Sequence, residues 1–597
     1  MDILQKLINL NESWVERGLH GQVLDEQSRY YGGVIDPANG IAWPNHHAGT
    51  PVWMSVWTAA LVQPESVYYR DPLVLERLGL AAEYMLRFQH EDGSISPGWT
   101  NFHSPPDTAF VIVGYAQLYL LLSRENWTDA ERVLVSMRQF LERSMPVMLT
   151  GGCHTPNHRW VLCAALGFLY EIFGDERLVQ RAQMWLSEGL DMTPDGEWTE
   201  RSNGIYNAVS DVMLIHASRL LHMPELLESV RRNLDMMMYL IHPSGEVVTD
   251  YSGRQDFGQT FTMDSYLLSY VLMANLDNNA QFAAMAQLAA AAFHEPSSCA
   301  NNPLIGMQLY AGNEQRVKPG ELPQHYRRMI NGTFERQQYI DRADADEYRA
   351  IQYSRPHLDF GAPVLRMRHG NTSLTMMTET SSLLALRHGS VRLLGVQLAS
   401  YFGPGFVPMQ TLVETERGYM MTALYHKGYR GPIAAQHVPD HTDVDGEASP
   451  WYLLPHGQRE STHTQAYRVE VEMVEQVNGM DLYIRCSEPE EVMTQLSLIF
   501  DSESQLLAED GELSKVSDGV ELWKSGLIRV QQGNDWMVLT GGAYEHWASS
   551  VREASYPSNC RTLLVNLMTP FEHKISLRLS PCAQAEREQQ VLQQFGK

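Results

Sequence analysis

The chain has 597 residues, 44% of them apolar and 19% charged, with 45 Lys and Arg against 71 Asp and Glu for a formal net charge of −26. That length exceeds what one hydrophobic core ordinarily serves and predicts two or three domains; the acidic balance argues against nucleic acid and anionic membrane as partners. No stretch reaches the roughly 18 to 20 uncharged apolar residues of a membrane-spanning helix.

The opening residues, MDILQKLINLNESWVERG, put acids and a tryptophan where a secretory leader has a basic end and a long apolar run, and they read as the first helix of the fold. Six cysteines spread along the chain form no C-x-x-C pair, and several lie in apolar helix or strand patterns, as buried free thiols do. Together these features set the expectation of a cytoplasmic protein.

Apolar residues recur at helical spacing over residues 73–88, 108–122, 161–172 and 209–221. Similar glycine turns at Gly93, Gly151, Gly196 and Gly245 separate the helices at intervals of roughly 50 residues, the length of one helical hairpin. Residues 1–315 then hold about six αα hairpins. Turns that carry Trp99, Trp160 and Trp198 favour closing them into an (α/α) toroid with a functional mouth.

A polar connection over residues 316–347 follows, read as a linker. Beyond it, short period-two segments at 372–379, 391–398, 467–473, 482–486 and 526–532 predict a large antiparallel β-sandwich over residues 348–597. The fold class is therefore α+β and multidomain, toroid first and sandwich second.

Three stretches in the helical half concentrate polar chemistry. GGCHTPNHRWVLCAAL, residues 151–166, brings Asn157, a good N-cap residue, and His158 to the start of a helix. DGEWTERSNGIYNAVSDVMLIHASRLL, residues 195–221, opens with Trp198, Glu200, Arg201, Asn203, Tyr206 and Asn207. A capping Ser202 or Asn203 explains one of these, and burying the others without partners is unfavourable. VVTDYSGRQDFG, residues 247–258, adds Asp250, Tyr251, Arg254 and Asp256. Equivalent turns of a toroid lie around one mouth, so His158, Tyr206 and Arg254 are expected to converge; the plainer alternative is a structural polar rim.

PNHRW, followed one hairpin later by DGEWTERSNGIYN and then by DYSGR, resembles the polysaccharide lyases built from an (α/α) toroid and an antiparallel β-sandwich. In the heparinase and oligoalginate lyase group an Asn-His pair precedes the catalytic tyrosine by about one hairpin, and Asn157, His158 and Tyr206 match. In the hyaluronate and chondroitin lyase group a segment like SNGIYN follows a catalytic histidine, and an S-x-G-R-like segment supplies a substrate-binding arginine, matched by Arg254. Arg201 stands where that group has its histidine and Ser210 near its tyrosine, so the heparinase-like assignment is preferred.

The resemblance implies β-elimination on a uronic acid. Taking the C5 proton adds charge beside a carboxylate, so the site must stabilise an enolate-like state, a task suited to Asn157 with Arg254 or Arg201. His158 is the natural base and Tyr206 an acid, or both acid and base if the substrate geometry is syn, where a nearby arginine would favour its phenolate. Trp99, Trp160 and Trp198 are candidates to stack on sugar faces. Further substrate contacts are expected from Glu200, Asn203, Tyr251 and His103. No cofactor is required. Adjacent His46 and His47 make a poor metal pair, and the histidines of the β half, His357, His388, His426 and His456, show no ligand spacing that would point to a structural metal there.

A glycoside hydrolase with paired carboxylates such as Glu200 and Asp250 is the competing enzyme, and it predicts that Tyr206→Phe stays active. A carbohydrate-binding scaffold is the non-catalytic alternative. The partner in the preferred reading is a uronate-containing oligosaccharide or polysaccharide. With a cytoplasmic location, a short imported oligosaccharide cut exolytically fits best. Oligomeric state is not legible.

Overall fold

Helices of two kinds alternate along the first part of the chain, and their burial says which lie inside. In order they are α1 (Ile3–Gly21), α2 (Thr50–Val62), α3 (Pro72–Phe88), α4 (Pro105–Arg124), α5 (Glu131–Thr150), α6 (His158–Phe173), α7 (Glu176–Leu186), α8 (Tyr206–Leu220), α9 (Leu227–Met237), α10 (Leu267–Asp277), α11 (Ala280–Ala292) and α12 (Pro303–Leu309). Every residue of α2 except Trp53 is buried, and α6 is buried without a break from Trp160 to Leu169. By contrast α7 buries only Leu178 and Ala182, and α9 a single stripe through Val230, Asn233, Leu234 and Met237. A helix that is apolar all round must be surrounded, whereas a one-striped helix covers the outside.

Packing follows that division. The inner helices touch in the order α2, α4, α6, α8, α10 and α12, and α12 returns to pack on α2, which closes the ring. Outer helices back it: α1 lies on α2, α5 on α4, α7 on α6, α9 on α8 and α11 on α10. This is the (α/α) toroid expected from the sequence. Asp71 caps α3 by accepting from the Leu73 and Val74 N–H groups, with Pro72 at the first helical position.

Three of the four glycine turns are copies of one device. His90, Thr193 and His242 each accept from the N–H of the glycine three residues on (Gly93, Gly196, Gly245), and each donates its own N–H to the carbonyl one residue further. All three glycines have positive φ, +85°, +97° and +87°. Gly151 is different: it ends α5 with φ −67°, in extended backbone.

The computed structural model describes residues 2–98, 101–310, 316–345, 359–438, 451 and 454–580; Trp99 and His357 lie outside these residues. Two compact units are present, one of Met1–Gln324 with Phe334–Gly361, the other of His325–Thr333 with Ala362–Lys597. The segment 316–347 is thus more than a connection. Its strand His325–Ile330 pairs with Val364–His369 in the second unit, and its helix α13 (Gln337–Ala345) belongs to the first.

Among the described residues the second unit forms two sheets. In one, Met493–Asp501 lies between Val391–Ser400 and Cys560–Met568, and the sheet runs out through Ser382–His388, Thr372–Met377 and Val364–His369 to His325–Ile330. In the other, the long strands Gly418–Ile433 and Arg459–Gln476 pair in register Tyr419↔Met473 and Ala423↔Val469. Among the described residues the strands pair antiparallel except where Val520–Ser525 meets Cys560–Met568, beside a parallel bridge between Tyr544 and Asn566. Alternate residues Tyr467, Val469, Val471 and Met473 point inward, as period-two patterning requires, and join Leu384, Leu386, Leu498 and Val565 of the other sheet in one core.

Candidate active site

The N-terminal ends of four inner helices meet at one end of the ring. Glu200, just ahead of α8, touches Asn157, just ahead of α6; Gly151 approaches Pro105 at the start of α4; His46, ahead of α2, stacks on Phe110 in the first turns of α4 with centroids 4.1 Å apart. Helix N-termini carry partial positive charge and point N–H groups outward. This end therefore offers an anion a local field opposed to the acidic total.

Glu200 is the centre of the arrangement. It is 3% exposed, and its Oε2 accepts from the Asn157 backbone N–H at 3.0 Å and from Asn157 Nδ2 at 2.6 Å. Its Oε1 holds Nη1 of Arg254 in an ion pair. The guanidinium of Arg254 in turn lies over the Tyr206 ring, 4.4 Å from its centroid. Asn157 does not cap α6 with its own side chain, as its residue type suggested. The first N–H groups of α6 go instead to the Thr155, Pro156 and Asn157 carbonyls, and Asn157 Oδ1 is left buried with no hydrogen-bond partner among the described residues.

Two further carboxylates tie down the surrounding turns. Asp256 accepts from the Ser202 hydroxyl at 2.9 Å, the Gly204 N–H at 2.8 Å and the Ser252 hydroxyl at 2.8 Å, tying the Arg254 turn to the entry of α8. Ser202 Oγ accepts from the Tyr206 N–H at 3.1 Å and so caps α8. Asp107 is joined by the Ser104 hydroxyl at 2.5 Å and by Asn101 Nδ2 at 2.9 Å.

Electrostatics assign protonation states. His158 is pushed down to about 3 by burial, with His154 and Arg254 adding to the effect, so the imidazole is neutral at ordinary pH. Its Nδ1 is buried without a hydrogen-bond partner among the described residues, and the His154 ring meets it edge-on at 5.0 Å. Tyr206 is half-buried and its pKa is raised, by burial first and then by Asp256 and Asp107, against a hydrogen bond with Gln255 that acts the other way. The expectation that a nearby arginine would favour phenolate is not met: the shift is upward, with burial its largest cause, and the phenol is favoured. Burial lowers Arg254.

Several residues read as substrate contacts lie instead inside the protein. Trp160 and Trp198 are 1% and 3% exposed, too little to offer a face to a sugar; Trp198 Nε1 donates to Asp211 at 3.3 Å. Arg201 is fully buried, bonded to Glu197 Oε1 at 3.3 Å and the Asp359 carbonyl at 2.7 Å, with its guanidinium over the Tyr251 ring at 4.8 Å. Asn203 donates to the Val248 carbonyl at 2.9 Å and accepts from Asn207 at 3.1 Å. Such buried polar groups need partners, and here the partners are the fold itself. His103 is exposed, paired with Asp92 at 3.1 Å and stacked on His90.

The carboxylates a hydrolysis would use are also engaged. Glu200 is held as described, and buried Asp250 lies 3.6 Å from His242. Asp211 is pushed well up by burial, as an acid would need, but it is sealed in the core. Among the described residues no group of three or more His, Cys, Asp or Glu side chains could hold a metal ion. His154, Phe110 and Gln255 join the site without having been singled out by sequence. His154 stands four residues before His158, and Ser104-Pro-Pro-Asp107 has the form of a capping box, the only such signals.

No protein-family model matches the chain and no curated protein matches it in sequence. Solved structures do match in fold. A Paenibacillus xanthan lyase aligns over 98% of this chain and 58% of its own at 10% identity, with a TM-score of 0.53. The Streptomyces coelicolor A3 chondroitin AC lyase aligns over 98% and 80% at 12% identity and TM-score 0.49, and heparinase III over 89% and 76% at 12% identity and TM-score 0.48. At such identities the likeness establishes the architecture.

Proposed function

We propose that this chain is a lyase that cleaves a uronate-containing glycan by β-elimination. The observation that carries the reading is a phenol under a guanidinium, Tyr206 beneath Arg254, with the neutral imidazole of His158 within the electrostatic reach of the same arginine. A fold shared with a xanthan lyase supports it. Fold alone does not make an enzyme, so the weight rests on the side chains.

In this reading Arg254 binds the uronate carboxylate through the N–H groups that Glu200 leaves open, and stabilises the charge that builds as the C5 proton leaves. His158 takes that proton. The C5–H electron pair becomes the C4–C5 double bond, the C4–O bond breaks, and Tyr206 gives its proton to the departing oxygen. Imidazolium and phenolate then exchange protons with solvent. A bound carboxylate raises the His158 pKa towards a useful value, by opposite charge. The side chains named carry every step without a cofactor. Asn157, first read as a carboxylate donor, has its N–H groups turned to Glu200 and takes no part in that contact.

A formal charge of −26 disfavours a long polyanion, so the reading extends to short oligosaccharides cut from an end, in the cytoplasm. No helix among the described residues is long and apolar enough to cross a membrane. The test is ultraviolet absorbance on incubation with a panel of uronate oligosaccharides beside a reducing-sugar assay. A conjugated unsaturated uronate is the expected product. Reducing ends without that absorbance replace elimination by hydrolysis.

A further inference from the structure

A carboxylate can only accept hydrogen bonds. This chemistry, not any choice of atom labels, fixes the Asn157 amide with its NH₂ towards Glu200 and its carbonyl oxygen away. The second oxygen of the same carboxylate fixes Nη1 of Arg254, 54 residues away in sequence, and the Arg254 guanidinium lies over the Tyr206 ring. Glu200 has two oxygens and two clients, one on each neighbouring turn.

We propose, resting on the lyase reading of this site, that Glu200 is its positioning residue: it touches no substrate, but it sets the pose of the guanidinium over the phenol and the hand of the Asn157 amide at once. Asn157, 1% exposed with its carbonyl oxygen buried, is thereby locked into the wall of the site and offers the substrate no donor. The carboxylate is left to Arg254. A charge-only role for Glu200 needs a negative group anywhere nearby, whereas a positioning role needs the full reach of a glutamate. The two are separable by one methylene.

Glu200→Asp keeps the charge and shortens the reach, so it cannot hold both clients; Glu200→Gln keeps the reach but has one acceptor where two are needed. The experiment maps phenylglyoxal modification of each arginine by mass spectrometry of the full chain, with exposed Arg132 as internal standard. Both variants are expected to raise the modification rate of Arg254 severalfold while fully buried Arg201 stays protected. On whichever uronate the unmutated protein cleaves, kcat is expected to fall by about 10- to 100-fold, as for misplacement of a reacting group, with KM changed less. Unchanged Arg254 reactivity in Glu200→Asp overturns the proposal, as does loss of Arg201 protection, which marks a general structural role. Failure of both variants to fold has the same meaning. Should the unmutated protein cleave no uronate, the lyase reading falls while the arginine map still decides whether Glu200 positions Arg254.

Discussion

The guanidinium of Arg254 lies 4.4 Å from the centroid of the Tyr206 ring while its Nη1 is bound to Glu200. Charge and aromatic face are thus held in one fixed pose, and the phenol beneath keeps its proton. Tyr206→Phe removes the proton donor but leaves the face, so it is expected to lower kcat by about 10²- to 10⁴-fold, the range of general acid catalysis, with little effect on KM. Arg254→Lys keeps the charge but loses the planar fork and its bidentate geometry, so it is expected to weaken both kcat and KM. Initial rates of absorbance increase measure both. A Tyr206→Phe protein with full activity sinks the elimination reading and favours hydrolysis.

Asn157 faces a carboxylate at 2.6 Å, and this gives a pH test of the contact. Asn157→Asp sets two buried carboxylates together, which raises the pKa of the pair in the folded variant. A raised folded pKa contributes stability that is present below the unfolded value and lost as pH rises through the folded one. The variant should therefore be destabilised by about 2 kcal/mol or more near neutral pH and recover part of this as pH falls towards about 4. Urea unfolding at several pH values measures it. A deficit that does not vary with pH contradicts the contact.

Much of the ring was legible because burial differs between helices. The apolar run of 161–169 and the striped patterns of the outer helices follow from where each must lie. The tryptophan turns were not legible in the same way. Trp198 sits in a dense polar loop, yet it bonds Asp211 inside the core, since sequence tells that an indole needs a donor's partner without telling on which side of the loop the partner is. Arg201 failed for the same reason: its partners Glu197 and Asp359 are close in space, and Asp359 is remote in sequence. Convergence of His158, Tyr206 and Arg254 could be read because the toroid repeats, and Arg254 does lie over Tyr206 and act on His158. The bonds of Glu200 to Asn157 and Arg254 could not, since spacing does not reveal which carboxylate oxygen meets which donor. Trp198→Phe is accordingly expected to lower stability by about 1–3 kcal/mol, the effect of a buried acceptor losing its donor, without changing KM. A raised KM with unchanged stability returns Trp198 to the substrate.

The copied turns offer a sharper comparison. Gly196 and Gly245 share positive φ, so an alanine at either is strained by about 1–3 kcal/mol. A Cβ on Gly196 also falls 2.3 Å from the Arg232 carbonyl oxygen, whereas one on Gly245 meets nothing nearer than Leu288 Cδ1 at 3.5 Å. Gly196→Ala should therefore lower the melting temperature clearly more than Gly245→Ala. Equal effects make the close approach of the turn to α9 irrelevant.

At the other end of α8, His216 is fully buried, with Nδ1 2.6 Å from the Tyr310 hydroxyl. Burial pushes its pKa down from 6.5 to about 3, and the neighbouring Arg219 adds to the shift. The folded state therefore refuses a proton that the unfolded state accepts. Between pH 6.5 and about 3 the unfolded chain binds more protons, so stability falls as pH falls through that window and is constant above it. Each pH unit inside the window weakens the fold by at most about 1.4 kcal/mol on account of this one residue. His158, lowered to about 3 as well, adds a parallel slope. His216→Phe keeps an aromatic ring beside Phe168 and Tyr310 but removes the titration. Its unfolding free energy is expected to sit below that of the unmutated chain at pH 7 and to converge on it as the pH is lowered to 4. Curves that stay parallel over that range would mean that His216 is protonated in the folded protein and that the burial argument does not hold for it.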